Sequence, residues 1–461
     1  MKGLRLKNKS RRRLGALFSS AHLSADSHVR VIKEGFVVIA VKYGGAVSSV
    51  IMLAALARVL DPELFGYYGI VFSLGTMLAV LGSFGQRMAV LKFGSEYLLE
   101  SDERKLVGLI RFGYSLVVLG TLGFGFVSLL GMAVYFKSDL VYLGVATILF
   151  SLAIGLSEYQ SSILRCLDSL AFAMLPRDVF WRVSVAGACV VYVFYFGADA
   201  SASWFIIVPA AMLLVIVVVQ NISYPRIRLS RIFFAPSTYE FPAWSRASLP
   251  MWGTSALNNG GPSFAVVIMG GVLSPAVAGG LFLAIKLSDA TSLAVRGLFN
   301  VIVPQIGRLS YKGDDEGLQR VVTTSTLLST AFSFVSFLFF LVLGKAIMRL
   351  FGAEFTRYYD ELIVLSAFSL FSSALGPGAP LMAMRGYESA SLKISIVTTA
   401  LGLSCVLVFS WYFGALGAAL GLGVYRVSSC MARAVFVGKN VGIDLFLLTQ
   451  LRRRLAGTDV R

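Results

Sequence analysis

The run from Leu56 to Phe93 reads LARVLDPELFGYYGIVFSLGTMLAVLGSFGQRMAVLKF, and between Phe65 and Gly85 it holds no charged residue. At ~1.5 Å rise per residue, a helix over that stretch spans the ~30 Å hydrocarbon core of a bilayer. Pro62 suits its start, because proline at the first helical position gives up only an N–H that has no partner there. Gln86 and Arg87 mark its other end, where a side chain can reach lipid headgroups.

Stretches of the same kind recur from Glu34 to Gly438 with only short polar breaks. Cutting them at Gly, Pro and charge clusters gives twelve candidate spans: 35–60, 65–85, 112–136, 140–164, 179–196, 204–224, 249–273, 277–303, 318–343, 361–384, 392–413 and 416–437. The chain of 461 residues is 57% hydrophobic and 14% charged, against roughly 25% charged in a soluble domain. This composition predicts an all-α, polytopic membrane protein. A transmembrane barrel would show alternating polarity in segments of ~10 residues, and a disulfide scaffold would be rich in Cys. Cys166, Cys189, Cys405 and Cys430 lie inside or beside apolar runs.

The formal net charge of +17 reads as topology rather than nucleic-acid binding, since no basic motif is interleaved with exposed aromatics and cytoplasmic loops collect Lys and Arg. Connections after the even-numbered spans hold Arg87, Lys92, Arg104 and Lys105, then Arg165, Arg177 and Arg182, then Arg226, Arg228, Arg231 and Arg246, then Arg308, Lys312 and Arg320, then Arg385 and Lys393. Connections on the opposite side carry few, so both termini are expected in the cytoplasm. The expected organisation is a basic arm (1–33), a six-helix bundle (34–224), a linker (225–248), a second six-helix bundle (249–438) and a basic tail (439–461). The arm reads as an interfacial basic helix or an unstructured segment, not as an export signal.

The two halves echo one another. VLDPELFGYYG from Val59 and VLSPAVAGGLF from Val272 share the frame V-L-x-P-x-x-x-G at an offset of 213 residues. LRCLDSLA from Leu164 parallels MRGYESAS from Met384, with Arg165 and Arg385 in register at an offset of 220. An even number of spans per half makes this a parallel repeat about an axis along the membrane normal, with a site expected between the halves.

On these features, namely the Leu56–Phe93 phrase, the arginine turn after the fourth span and the twelve-span pattern, the chain resembles the polysaccharide flippase branch of the multidrug/oligosaccharidyl-lipid/polysaccharide (MOP) exporter superfamily. The resemblance implies two six-helix bundles around a central cavity lined by the first, second, seventh and eighth helices. It implies a bacterial inner-membrane flippase that moves undecaprenyl-pyrophosphate-linked oligosaccharide to the periplasmic leaflet for capsule, exopolysaccharide or O-antigen synthesis. Its partners would be that lipid-linked oligosaccharide, bilayer lipids and other polysaccharide-assembly membrane proteins, with no nucleic acid.

Independently of the resemblance, ionisable residues deep in a span cost ~2.5–3.5 kcal/mol each and mark protein-facing or water-facing surfaces. Lys42 in the first span has Gly45 and Ser49 near its face, although a headgroup-snorkelling role fits equally well. In the eighth span Lys286, Asp289, Arg296 and Asn300 share one side of a helix, which suits a cavity wall; a structural Lys286–Asp289 pair is the plainer alternative. Asn258 and Asn259 precede Gly260, Gly261 and Pro262 in the seventh span, a polar lining with a hinge at the proline. Arg87 is a candidate headgroup contact. Glu158, with Gln160, is an expected ion-pair or coupling residue opposite Arg165.

No metal-ligand or catalytic set competes: His22 and His28 both lie in the arm, and no G-x-x-x-x-G-K-[ST] phosphate loop occurs. The sequence therefore requires no cofactor and implies no enzyme activity, and leaves a proton or sodium gradient open as the drive. The alternatives are a multidrug or other small-molecule exporter of the same superfamily, a membrane glycan polymerase or ligase, and a non-transporting scaffold. The cation excess over Asp289 favours an anionic substrate over an organic cation.

Overall fold

The computed structural model describes residues 26–135, 141–167, 170–197, 203–223, 235–447 and 449–450, and every regular element among them is helical. The first half comprises α1 (Asp26–Val59), α2 (Pro62–Gly82), a short broken helix α3 (86–99), α4 (Glu103–Tyr135), α5 (Val141–Cys166), α6 (Leu170–Phe196) and α7 (Val208–Ser223). The second comprises α8 (Phe241–Val272), α9 (Pro275–Lys312), α10 (Asp315–Phe351), α11 (Tyr359–Ser373), α12 (Gly378–Met384) and α13 (Glu388–Asn440).

Among the described residues, eight helices are long and apolar enough to cross a membrane, and nine when Ala353–Ser373 and Gly378–Met384, bent by 40° at the break between them, are counted as one span. The long helix α13 is two crossings. Gly414, at φ 59° and ψ −134°, reverses the chain. A methyl group on Gly417 would lie 1.9 Å from the Phe409 carbonyl oxygen, and one on Gly421 would lie 2.5 Å from the Val406 nitrogen. Residues 388–413 and 415–440 are thus an antiparallel pair held by backbone-close packing of small residues, the usual adhesive where lipid removes much of the hydrophobic drive. Helices α8 and α9 carry the polar stripes read from sequence.

Both copies of the repeated turn start a helix by the same device. Asp61 Oδ1 accepts from the Leu64 N–H at 2.8 Å, and Ser274 Oγ accepts from the Val277 N–H at 3.3 Å, each supplying an acceptor to a donor that a helix start leaves open. Pro62 and Pro275 follow directly. The glycines that close the two motifs then meet. A methyl on Gly279 would stand 2.9 Å from the Gly66 Cα, and one on Gly66 would stand 1.8 Å from the Pro275 carbonyl oxygen. Below this crossing, the buried rings of Phe65, Tyr68, Phe150, Phe282 and Phe355 pack edge to face, with Phe65 5.2 Å from Phe355 and Tyr68 6.1 Å from Phe282. Pairs of this kind contribute ~0.5–1.5 kcal/mol beyond their area. One hydrophobic cluster therefore joins α2 and α5 of the first half to α9 and the turn Ala353–Tyr358 of the second.

Several boundaries differ from the sequence expectation. Helix α1 starts at Asp26, before Glu34, while the rest of the expected arm lies outside the described residues. Helix α8 starts at Phe241, inside the expected linker, with Pro242 in its first turn. Helix α6 starts at Leu170 rather than Val179 and takes Arg177 and Asp178 into a π-helical turn, Pro176–Phe180. Ion pairs described below neutralise those two residues, which removes the penalty that made them read as a loop.

Candidate functional site

In the first half, α1, α3, α5 and α6 bring five cations and two carboxylates into one network. Asp178 is 5% exposed. Its Oδ2 accepts from Lys42 Nζ at 2.9 Å and its Oδ1 from Arg177 Nε at 3.0 Å. Glu158 pairs through Oε2 with Arg87, and its Oε1 is 3.8 Å from Arg177 Nη1. Arg182 donates to the carbonyl oxygens of Asp178, at 2.9 Å, and Gly45. Arg165, two turns along α5 from Glu158, donates to its own helix at Ser161 and Ser162.

Sequence geometry explains the convergence. A methyl on Gly45 would lie 3.0 Å from the Asp178 carbonyl oxygen, so this glycine lets α1 approach the π turn of α6. Buried Ser48 fastens the approach by donating to the carbonyls of Gly45 and Asp178. The expected pairing of Glu158 with Arg165 is not what forms: Arg87 and Arg177 reach Glu158 from α3 and α6, whereas Arg165 turns back to its own helix. With Lys42, Arg87, Arg165, Arg177 and Arg182 set against Glu158 and Asp178, the cluster keeps an excess of positive charge, which draws anions to a low-dielectric wall.

On the second half, Lys286 sits 4.9 Å over the Phe72 ring of α2 and 5.2 Å over the Phe282 ring, a placement that stabilises a partly buried ammonium by ~0.5–2 kcal/mol. Lys286 is thereby at the junction of α2 and α9. Asp289 accepts from Arg426 Nη2 of α13 at 2.9 Å. The backbones of Asn258, Asn259, Arg296 and Asn300 belong to α8 and α9; their side chains lie outside the described residues.

Helix α8 is attached to both halves. Near its start, fully buried Trp244 donates to Tyr97 Oη at 2.9 Å, and Trp252 Nε1 donates to the Val80 and Leu81 carbonyls at 3.0 and 3.1 Å. Glu240, just before the helix, accepts from Tyr97 Oη at 2.8 Å and lies 2.9 Å from Lys105 Nζ. The hydrogen bonds from Lys105 and Tyr97 hold its carboxyl below the usual range, while burial first and Glu240 second push the Tyr97 phenol up to about 12. Farther along, Tyr425 of α13 donates to the Leu257 carbonyl at 3.1 Å, and its ring lies where a methyl on Gly261 would come within 2.7 Å. Gly260, Gly261 and Pro262 follow the N-half anchorage, where α8 joins the second half.

Sequence pattern alone gives Arg177 and Arg182 the role of connection residues and does not single out Asp178, Arg426 or Arg433. Arg426 and Arg433 stand inside an apolar span, so the depth criterion that selects Lys42 selects them too.

Residues 31–310, more than half of the chain, match the model of the polysaccharide biosynthesis protein family. A probable low-salt glycan biosynthesis flippase of Haloferax volcanii is 25% identical over 182 residues, which cover 39% of this chain and 38% of that relative's length. Among solved structures, the inward-facing conformation of a multidrug resistance MATE family transporter of the MOP superfamily superposes with a TM-score of 0.63 at 14% identity, covering 88% of this chain and 94% of that one. The outward-facing conformation of such a transporter gives 0.62 at 14% identity over 89% and 96%, and a MOP superfamily transporter from Pyrococcus furiosus gives 0.53 at 13% over 90% and 95%. The chain is a multi-pass membrane protein that belongs to the polysaccharide biosynthesis protein family and has the fold seen in MATE family transporters.

Proposed function

We propose that the protein is a flippase that carries undecaprenyl-pyrophosphate-linked oligosaccharide from the cytoplasmic to the periplasmic leaflet of a bacterial inner membrane, with both termini in the cytoplasm. The observation that supports this most is the excess of positive charge around Asp178 and Glu158, with Lys286 on the facing half. A pyrophosphate head is multiply anionic, and moving it through ~30 Å of hydrocarbon unaided is prohibitive. Fixed guanidinium and ammonium groups replace part of its hydration, and the lipid chain stays in the bilayer.

Alternating access follows from rocking the halves about the Gly66–Gly279 crossing. Because α8 is fastened to α2 through Trp252 and to α13 through Tyr425, rocking has to be absorbed along α8, where Gly260, Gly261 and Pro262 lower the cost of bending. Export of an organic cation is less well supported: Glu158, Asp178 and Asp289 each already hold an Arg or Lys partner. Lys42, Arg87 and Lys286 are the proposed anion-facing residues, joined by Arg296, Asn300, Asn258 and Asn259 from the sequence. Among the described residues, no set of side chains assigns a coupling ion.

The test is leaflet-specific labelling of the lipid intermediate in a strain lacking the protein. Accumulation on the cytoplasmic leaflet is expected. An unchanged distribution with normal surface glycan, in a strain with no second exporter, would reject the proposal.

A further inference from the structure

The two halves share a third echo, at the ends of the fifth and eleventh spans. Tyr-Phe-Gly-Ala occurs at 195–198 and again at 412–415, an offset of 217 residues that falls between the 213 and 220 of the other two echoes. Phe194 precedes the first copy and Trp411 the second, so each is an aromatic triad followed by glycine. In both, the glycine leaves the helix at positive φ, 78° at Gly197 and 59° at Gly414. The triads therefore end crossings at the same point of the repeat.

Phe194, Tyr195 and Phe196 on α6, and Trp411, Tyr412 and Phe413 on α13, are each between 62% and 82% exposed. No Asp, Glu, Lys or Arg lies between Lys393 and Arg426, and Asp199 is the only one between Arg182 and Arg226. Charge therefore does little to fix where either chain reversal stands in a bilayer. Lys393 and Gly414 are 21 residues apart, which is ~31 Å of helix and matches the ~30 Å hydrocarbon core. With Lys393 among the headgroups of one leaflet, the reversal reaches the boundary of the other. Its neighbour agrees: a methyl on Gly414 would come 4.0 Å from Leu273 Cδ1, at the repeated proline turn that follows α8. In the first half, Tyr192 stacks on Phe196 and lies 5.3 Å from the ring of Trp204, so half-exposed Trp204 belongs to the same patch as the triad.

We infer that the two triads are a matched pair of surfaces for the phospholipid interface, on the side away from the arginine-bearing connections. Trp and Tyr present a flat apolar body with one polar tip, which suits the layer where acyl chains give way to headgroups. There the indole N–H and the phenol O–H donate to ester and phosphate oxygens, and the ring faces cover acyl carbons. Phe194, Phe196 and Phe413 add apolar area. Each half thus has its own anchor at the equivalent point of the repeat, and each keeps its depth in the bilayer while the halves rock. The inference does not depend on the cargo; the proposed orientation only makes the leaflet the periplasmic one.

Depth-resolved quenching of Trp fluorescence tests the inference on the purified full-length protein in phosphatidylcholine vesicles. The quenchers are phosphatidylcholine brominated close to the headgroup, phosphatidylcholine brominated close to the chain ends, and iodide in the water. Subtracting the emission of Trp411→Phe from that of the wild type isolates the Trp411 indole, and Trp204→Phe does the same for the first half. Bromine near the headgroup is expected to remove the largest share of each difference signal. A larger loss with chain-end bromine would overturn the interfacial depth, because the ring would lie inside hydrocarbon. A larger loss with iodide would place the ring in water, and no loss with either bromolipid would mean that protein, such as a second copy of the chain, covers it; both would overturn the lipid surface. The expected pattern at Trp411 but not at Trp204 would overturn the matched pair. Because quenching is read without transport, its failure leaves the flippase proposal standing, and failure of the leaflet assay leaves the anchors standing.

Discussion

Gly66 and Gly279, the equivalent glycines of the two V-L-x-P-x-x-x-G turns, pack backbone against backbone where α2 crosses α9. The repeat is therefore more than a resemblance between halves, because its two copies form the contact that joins them. A side chain on either glycine would have to displace backbone atoms rather than a movable neighbour.

Gly66→Ala is expected to destabilise the protein by about 1–3 kcal/mol, the usual cost of overpacking. Gly271→Ala, where a methyl would enter open space, serves as the control and is expected to leave stability unchanged. Thermal unfolding of the two purified variants in detergent reads the difference. Equal midpoints would show that the α2–α9 crossing is not tight.

Much of this was legible in the sequence. The helical class and the positions of the two proline turns follow from apolar run length and from Pro62 and Pro275, because span length and helix starts are local properties. Helix boundaries near charge were less legible. Arg177 and Asp178 read as a loop because burial of each alone is costly, and only the approach of Lys42 to Asp178 and of Glu158 to Arg177, 136 and 19 residues away along the chain, makes them helical. The partner of Asp289 was equally hidden: Lys286 is near it in sequence, whereas Arg426 reaches it from α13.

The Asp178 site gives a rank order. Lys42 is 41% exposed at its side chain and shares Asp178 with Arg177, so Lys42→Ala should cost only about 1 kcal/mol. Asp178→Ala leaves several cations facing one another in a buried place and should cost about 3–5 kcal/mol. Protein accumulation and unfolding midpoints check the order, and a larger loss from Lys42→Ala would contradict it.

Acid should loosen the start of α8. The Glu240 carboxyl is held below its ordinary value by Lys105 and Tyr97, so its contribution is present above the unfolded value of ~4.5 and is lost as pH falls through the lower folded value. The Thr238 N–H, which donates to the Arg104 carbonyl at 3.1 Å, reports the change. After correction for the intrinsic rate, hydrogen exchange at Thr238 should accelerate at acid pH in the wild type. In Glu240→Gln it should be faster already at neutral pH and respond less to acid.

The chain reversal at Gly414 has a positive φ of 59° with ψ of −134°, a conformation costly for any residue with a Cβ. Gly414→Ala should lower stability by about 1–3 kcal/mol, read as a lower unfolding midpoint in detergent. An unaltered midpoint would mean that the reversal tolerates an ordinary side chain.

The central claim is that fixed positive charge at the meeting of the halves carries a lipid-linked anion across the bilayer. It is tested most directly by reconstituting the purified protein into vesicles that contain lipid-linked oligosaccharide and following its exposure on each leaflet with an impermeant label. Wild-type protein should redistribute the lipid, and Lys286→Glu, at the junction of Phe72 and Phe282, should slow the redistribution at least about tenfold while inserting normally, a barrier increase of ~1.4 kcal/mol. Redistribution at the wild-type rate by Lys286→Glu, or none by the wild type, would contradict the account.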